Sequence, residues 1–140
     1  MRQATASREL LAAREDVWSF ATEPGHFADW WPGIAAVEPD RRGLAPGARW
    51  TVRAAERSTL FRSSGYSGML VLREVHPFER FCWTLTGDRI DVALQLHATE
   101  PDRTHASLEV TAGWLVPLPR SLPRRALTQL YNLCQTAAAV

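Results

Sequence analysis

From Ile34 onward the chain alternates apolar and polar positions, and turn-forming groups punctuate it at regular intervals. These are Asp40-Arg41-Arg42-Gly43, Pro46-Gly47, Ser63-Ser64-Gly65, His76-Pro77, Gly87-Asp88 and Pro101-Asp102. Three strands stand out. Arg80 to Thr86 puts Phe81, Trp83 and Leu85 on one face, Arg89 to Thr99 puts Ile90, Val92, Leu94 and Leu96 there, and Thr104 to Trp114 adds Ala106, Leu108, Val110, Ala112 and Trp114. Their other faces, including Arg80, Thr84, Asp91, Gln95, His97, His105 and Glu109, are largely polar, so the pattern predicts an antiparallel sheet wet on one side. Gly87-Asp88 predicts a tight hairpin between the first two strands.

The segment Gly68 to Val75 is harder to orient. Strict alternation groups Met69, Val71, Arg73 and Val75 against Leu70, Leu72 and Glu74, so one of Arg73 and Glu74 is expected to point inward. A buried Arg73 would seek a carboxylate, either on the protein or on the head group of a ligand.

Both ends of the chain read differently. Thr5 to Ala12 is compatible with a strand, and Arg14-Glu15-Asp16-Val17-Trp18 opens a helix with acidic residues in its first turn and Trp18 facing inward. Pro24-Gly25 ends that helix, and His26 to Trp31 forms a second short one that Pro32-Gly33 terminates. In this second helix Trp30, in register with Phe27, is expected to pack inside, and Trp31 to lie nearer a cavity mouth or the surface. After Pro117 and Pro119, Ser121 is a candidate N-cap and Pro123 falls in the first turn. Ala126, Leu127, Leu130, Leu133, Cys134 and Ala137 then make the apolar stripe of a helix. At 1.5 Å per residue, roughly 20 residues span about 30 Å, enough to cross the sheet. The predicted order is strand, two short helices, about six strands and one long amphipathic helix: an α+β domain covering residues 1–140, with a curved sheet of about seven strands wrapped on the helix.

Composition narrows the chemistry. With 16 basic and 15 acidic residues the net charge is +1, so no overall field gathers a polyanion, and nucleic acid and anionic membrane are disfavoured as partners. All the basic residues are Arg, which removes Schiff-base chemistry and a phosphate-loop lysine. No apolar run is long enough to cross a bilayer and the amino end has no signal-peptide pattern, so a cytoplasmic location is expected. Cys82 and Cys134 are expected to be buried free thiols, and no metal site or cofactor is indicated. No nucleophile elbow and no Rieske-type spacing occurs, and no catalytic residue is assigned.

With this order in hand, the chain resembles the START-like and Bet v 1-like helix-grip superfamily, SRPBCC, in its small bacterial polyketide cyclase/dehydrase-like or lipid-transport-like branch. Arg14-Glu15-Asp16-Val17-Trp18, Trp30-Trp31-Pro32-Gly33-Ile34, Pro46-Gly47, Val75-His76-Pro77-Phe78-Glu79-Arg80-Phe81 and the terminal helix carry the likeness. The resemblance implies a cavity between sheet and long helix that holds a small hydrophobic, lipid-like, polyketide-like or aromatic ligand. The residues expected to line it are Trp31, Trp50, Tyr66, Val71, Arg73, Phe81, Trp83 and Val92, with Leu94, Leu108, Val110, Trp114, Leu127, Leu130, Tyr131 and Cys134. The alternative is a polyketide cyclase or dehydratase in which an inward Arg73, Glu74 or Tyr131 assists enolate chemistry. A monomer or homodimer is expected, and an interaction module is the third possibility.

Overall fold

The computed structural model describes residues 2–54, 68–87 and 89–138. Tyr66, the Ser63-Ser64-Gly65 turn and Asp88 of the predicted hairpin lie outside these residues. The elements are β1 (Arg2–Leu10), α1 (Arg14–Thr22), a 3-10 turn (Pro24–His26), α2 (Phe27–Trp30), β2 (Ile34–Glu38), β3 (Arg49–Ala54), β4 (Met69–His76), β5 (Arg80–Leu85), β6 (Ile90–Glu100), β7 (Arg103–Ala112) and α3 (Leu122–Ala138). The strands form one antiparallel sheet in the order β1-β7-β6-β5-β4-β3-β2. It curves around α3, as the helix-grip expectation requires.

The concave face is built from cross-strand rows. Leu72 pairs with Trp83, Trp83 with Val92, Val92 with Val110, and Val110 with Ala4. A parallel row runs from Val75 through Phe81, Leu94 and Leu108 to Ala6. The rows are bulky on β4 and β5 and small on β1, where the alanines let α3 approach the sheet closely. α3 turns Leu122, Ala126, Leu127, Leu130 and Cys134 into the core. α1 closes the same face with Val17, Trp18 and Ala21, its Glu15 and Asp16 placed at the positive end of the helix.

Four expectations are corrected. The first strand begins at Arg2 and ends at Leu10. Its inward positions Ala4, Ala6 and Arg8 are too small or too polar to show as a periodic apolar set, and pairing with β7 overrides the weak local signal. Second, neither Arg73 nor Glu74 points inward. A β-bulge between Leu72 and Glu74 sets an extra residue into β4, so Arg73 and Glu74 both lie on the convex side and the alternation restarts with Val75 facing in. Val71 shares that convex side with Arg73, and neither reaches the concave interior. Third, β7 stops at Ala112; Gly113 accepts from the Val116 N–H at 3.1 Å, and the resulting turn leaves Trp114 70% exposed. Fourth, Trp31 is fully buried. It is the residue after α2, with extended backbone (φ −90°, ψ 118°), which swings its ring away from the helical direction and onto the sheet. Gly33, at φ 87°, then takes the left-handed turn that a side chain would oppose, and β2 begins at Ile34.

Candidate functional site

The concave interior between β3–β6, α2 and α3 is the candidate site. Phe27 sits at its centre, 5.1 Å from Trp83, 5.5 Å from Trp30 and 6.1 Å from Trp50, in tilted or edge-to-face contacts. Trp31 meets Trp83 edge to face at 4.6 Å. Phe81 links this group to Trp18 at 6.0 Å and Trp50 at 6.5 Å. Each of Phe27, Trp30, Trp31, Trp50, Phe81 and Trp83 is 0% exposed, so no water molecule touches them and the rings close the interior.

Two of the indoles are paired and two are not. Trp50 Nε1 donates to the Gly43 carbonyl at 2.8 Å and Trp30 Nε1 to the Ala21 carbonyl at 3.2 Å. Among the described residues Trp31 Nε1 and Trp83 Nε1, on touching rings, are buried without a hydrogen-bond partner. A buried donor left unmade costs roughly 1–3 kcal/mol, because water satisfied it in the unfolded chain. A neighbouring aromatic face is only a weak acceptor.

Of the residues expected at a cavity, Trp31, Trp50, Phe81, Trp83, Val92, Leu94, Leu108, Val110, Leu127, Leu130 and Cys134 come together inside. Tyr131 lies at the margin, half-buried, with the Arg8 guanidinium 4.2 Å above its ring. Val71, Arg73 and Trp114 are elsewhere. The sequence reading missed Phe27 as the centre of the cluster, Leu70 and Leu72 as its floor on β4, and Arg8, whose Nη1 also donates to Thr128 Oγ1 at 3.4 Å. The period-two set Ala4, Ala6, Arg8, Leu10 would have identified Arg8 as inward had the strand been started at Arg2.

Ionisable groups are concentrated on the convex face instead. Arg73 Nε donates to Thr84 Oγ1 at 3.1 Å and Thr84 donates to Asp91 Oδ1 at 2.6 Å, a chain that explains how Thr84 can be buried there. Arg80 Nε donates to Glu74 Oε2 at 3.0 Å, and this bond holds the Glu74 carboxyl below its usual range. His26 pairs with Asp29 at 3.0 Å and His105 with Glu9 at 2.8 Å, both near the surface. Among the described residues the buried polar side chains are Thr22, Thr84 and Thr104, and no group of three His, Cys, Asp or Glu side chains is placed to hold a metal ion. No helix among them is long and apolar enough to cross a membrane.

Both thiols are free and buried. Burial pushes Cys82 up to about 12, with the nearby Glu74 adding to the shift, and pushes Cys134 up to about 11, with Asp16 contributing. Neither is a nucleophile near neutral pH. The folded values lie above the unfolded value of 9.0. The thiols' contribution to stability is therefore complete below about pH 9 and is lost as pH rises toward the folded values, because only the unfolded chain ionises in that window. We expect no reaction of the native protein with a thiol-exchange reagent at about pH 8, full reaction in denaturant, and a urea midpoint that falls above about pH 9. In Cys134→Ala that alkaline fall should be shallower than in the parent chain.

Known proteins place this geometry. Protein XoxI from Bacillus cereus superposes with a TM-score of 0.71 at 14% identity, 99% of each chain being covered. Protein NE0264 from Nitrosomonas europaea gives 0.71 at 19% identity, covering 99% of this chain and 97% of its own. A norcoclaurine synthase point mutant from Thalictrum flavum, in complex with a transition-state analogue, gives 0.66 at 14% identity, covering 98% and 96%. At these identities the likeness is one of fold. A comparison with curated proteins finds no match. The family model described as polyketide cyclase / dehydrase and lipid transport matches residues 1–131, nearly the whole of the 140-residue chain, which therefore belongs to that family within the helix-grip superfamily.

Proposed function

We propose that the protein binds a small hydrophobic molecule between the sheet and α3, with the aromatic cluster as the recognition surface. The family and the fold support this reading. The observation that carries it is the pair of unpartnered indole donors on Trp31 and Trp83, set in an interior that otherwise offers apolar and aromatic contacts. A guest with a neutral acceptor, such as a ketone, quinone or ester carbonyl, would satisfy them while its apolar body stacks on the rings. A free carboxylate would meet no cation among the fully buried described residues, Arg8 and Arg14 being half-buried, and would carry a desolvation cost.

Because the rings leave no room for water, ligand entry requires the cluster to part. α2 is the element placed to give way. It is four residues long, lacks a side-chain cap, and carries Phe27 and Trp30 with Trp31 directly after it. The residues offered for the cyclase or dehydratase alternative do not converge on the interior, since Arg73 and Glu74 lie on the convex face and Tyr131 stacks under Arg8 at its margin.

Titration of tryptophan fluorescence with matched probes tests the proposal. Anthraquinone is expected to bind more tightly than anthracene by roughly 5–10-fold, the value of about one hydrogen bond. The preference should fall in Trp83→Phe, which keeps an aromatic ring, though a smaller one, and removes the donor. Absence of binding by aromatic and acyl probes alike would refute the proposed function; equal binding of the two probes would remove the donor argument alone.

A further inference from the structure

The loop between β7 and α3 departs from what folding alone requires. The Gly113–Val116 turn carries Trp114 and Leu115 at its two central positions, 70% and 98% exposed. Such positions favour Gly, Asn, Asp, Ser or Pro, and large apolar side chains there gain nothing from burial in the fold. The segment then runs into α3, whose first turn contains no acid and presents Arg124 and Arg125 to solvent after the exposed Arg120. Cations at the positive end of a helix oppose its dipole. Arg2 adds a further positive charge, at the edge of a cleft of about 480 Å³ shared with Trp114 and Arg120. Among the described residues none of these four arginines is in an ion pair.

We propose that this end of the molecule docks on an anionic lipid bilayer, Trp114 and Leu115 entering the interface and Arg2, Arg120, Arg124 and Arg125 meeting the phosphate groups around them. An exposed Trp beside an exposed Leu, rimmed by arginines, matches the layered chemistry of that interface: hydrocarbon boundary within, anionic head groups outside. A second copy of the chain fits less well, since a two-fold contact through this patch would set arginines against arginines. The overall charge of +1 hides the patch, because the balancing acids lie elsewhere on the chain. The inference does not depend on what the interior binds.

Flotation of the full chain with vesicles of phosphatidylcholine, alone or with about one third phosphatidylglycerol, provides the test. Binding is expected to the anionic vesicles and to weaken with salt. Replacing Trp114 and Leu115 together by Ala and Ser should lower the partition coefficient about tenfold or more. Each Arg→Gln change at 120, 124 or 125 should cost roughly fivefold on anionic vesicles and little on neutral ones. All these side chains are exposed, so the circular dichroism of the variants should match that of the parent. Failure to float with either vesicle, or flotation unchanged by the Trp114/Leu115 double substitution, would overturn the proposal. A dimer in light scattering that this double substitution dissolves would overturn it in favour of self-association.

Discussion

Replacing Trp83 by Ala is expected to lower the unfolding free energy by about 3–5 kcal/mol, as removal of large buried aromatics does. Trp83 is fully buried and packs against Phe27 and Trp31, which α2 brings down onto the sheet, so its loss loosens the sheet and that covering helix together. Against the usual total of about 5–15 kcal/mol the loss is large, and it corresponds to a fall in Tm of roughly 10–17 °C for a domain of this size. Trp83→Phe should cost much less, because the volume lost is smaller and the unpartnered Nε1 donor goes with it. Trp114→Ala should be neutral within about 0.5 kcal/mol, since that ring is 70% exposed. Urea melts of the three variants check the ranking. Added indole should raise the Tm of Trp83→Ala alone by filling the cavity, as apolar guests fill engineered voids in other cores. A Trp83→Ala protein as stable as Trp114→Ala would mean that the ring cluster is not the core described.

The contrast between these tryptophans shows what was legible before the structure. The faces of β5, β6 and β7 follow period two closely, so Phe81, Trp83, Val92, Leu94, Leu108 and Val110 could be placed inside from the sequence, and α3 could be read from its stripe. Trp114 continues the same period, but Gly113 ends the ladder and the turn carries the ring out; periodicity alone does not announce where a strand stops. Trp31 failed for a similar reason. A helical projection sends adjacent rings in different directions, whereas Trp31 has already left the helix, and its extended backbone returns the ring to Trp83. The order of elements, which depends on many residues at once, survived these local departures. The candidate site depends on single side chains, and there each departure mattered.

The bulge in β4 gives the sharpest case. Val71 and Val75 are four residues apart and fall on one face of an ideal strand, so strict alternation predicts the same response to a charge at either position. The extra residue inserted between Leu72 and Glu74 separates them. Val75 pairs with Phe81 and packs against the core, while Val71 pairs with Thr84 on the convex side, among Arg73 and Asp91. Val75→Asp is therefore expected to cost about 2–3 kcal/mol, because it sets a carboxylate at the partly buried edge of the aromatic interior. Val71→Asp should cost about 1 kcal/mol or less, as its carboxylate has solvent and the Arg73 guanidinium within its surroundings. Urea midpoints at about pH 7 compare them. At about pH 4 the gap should narrow, since a neutral carboxyl is far less costly to bury than a charged one. An equally large destabilisation at neutral pH would place both valines on the concave face and would return Arg73, in place of Glu74, to the interior as the side chain able to pair with an acidic ligand.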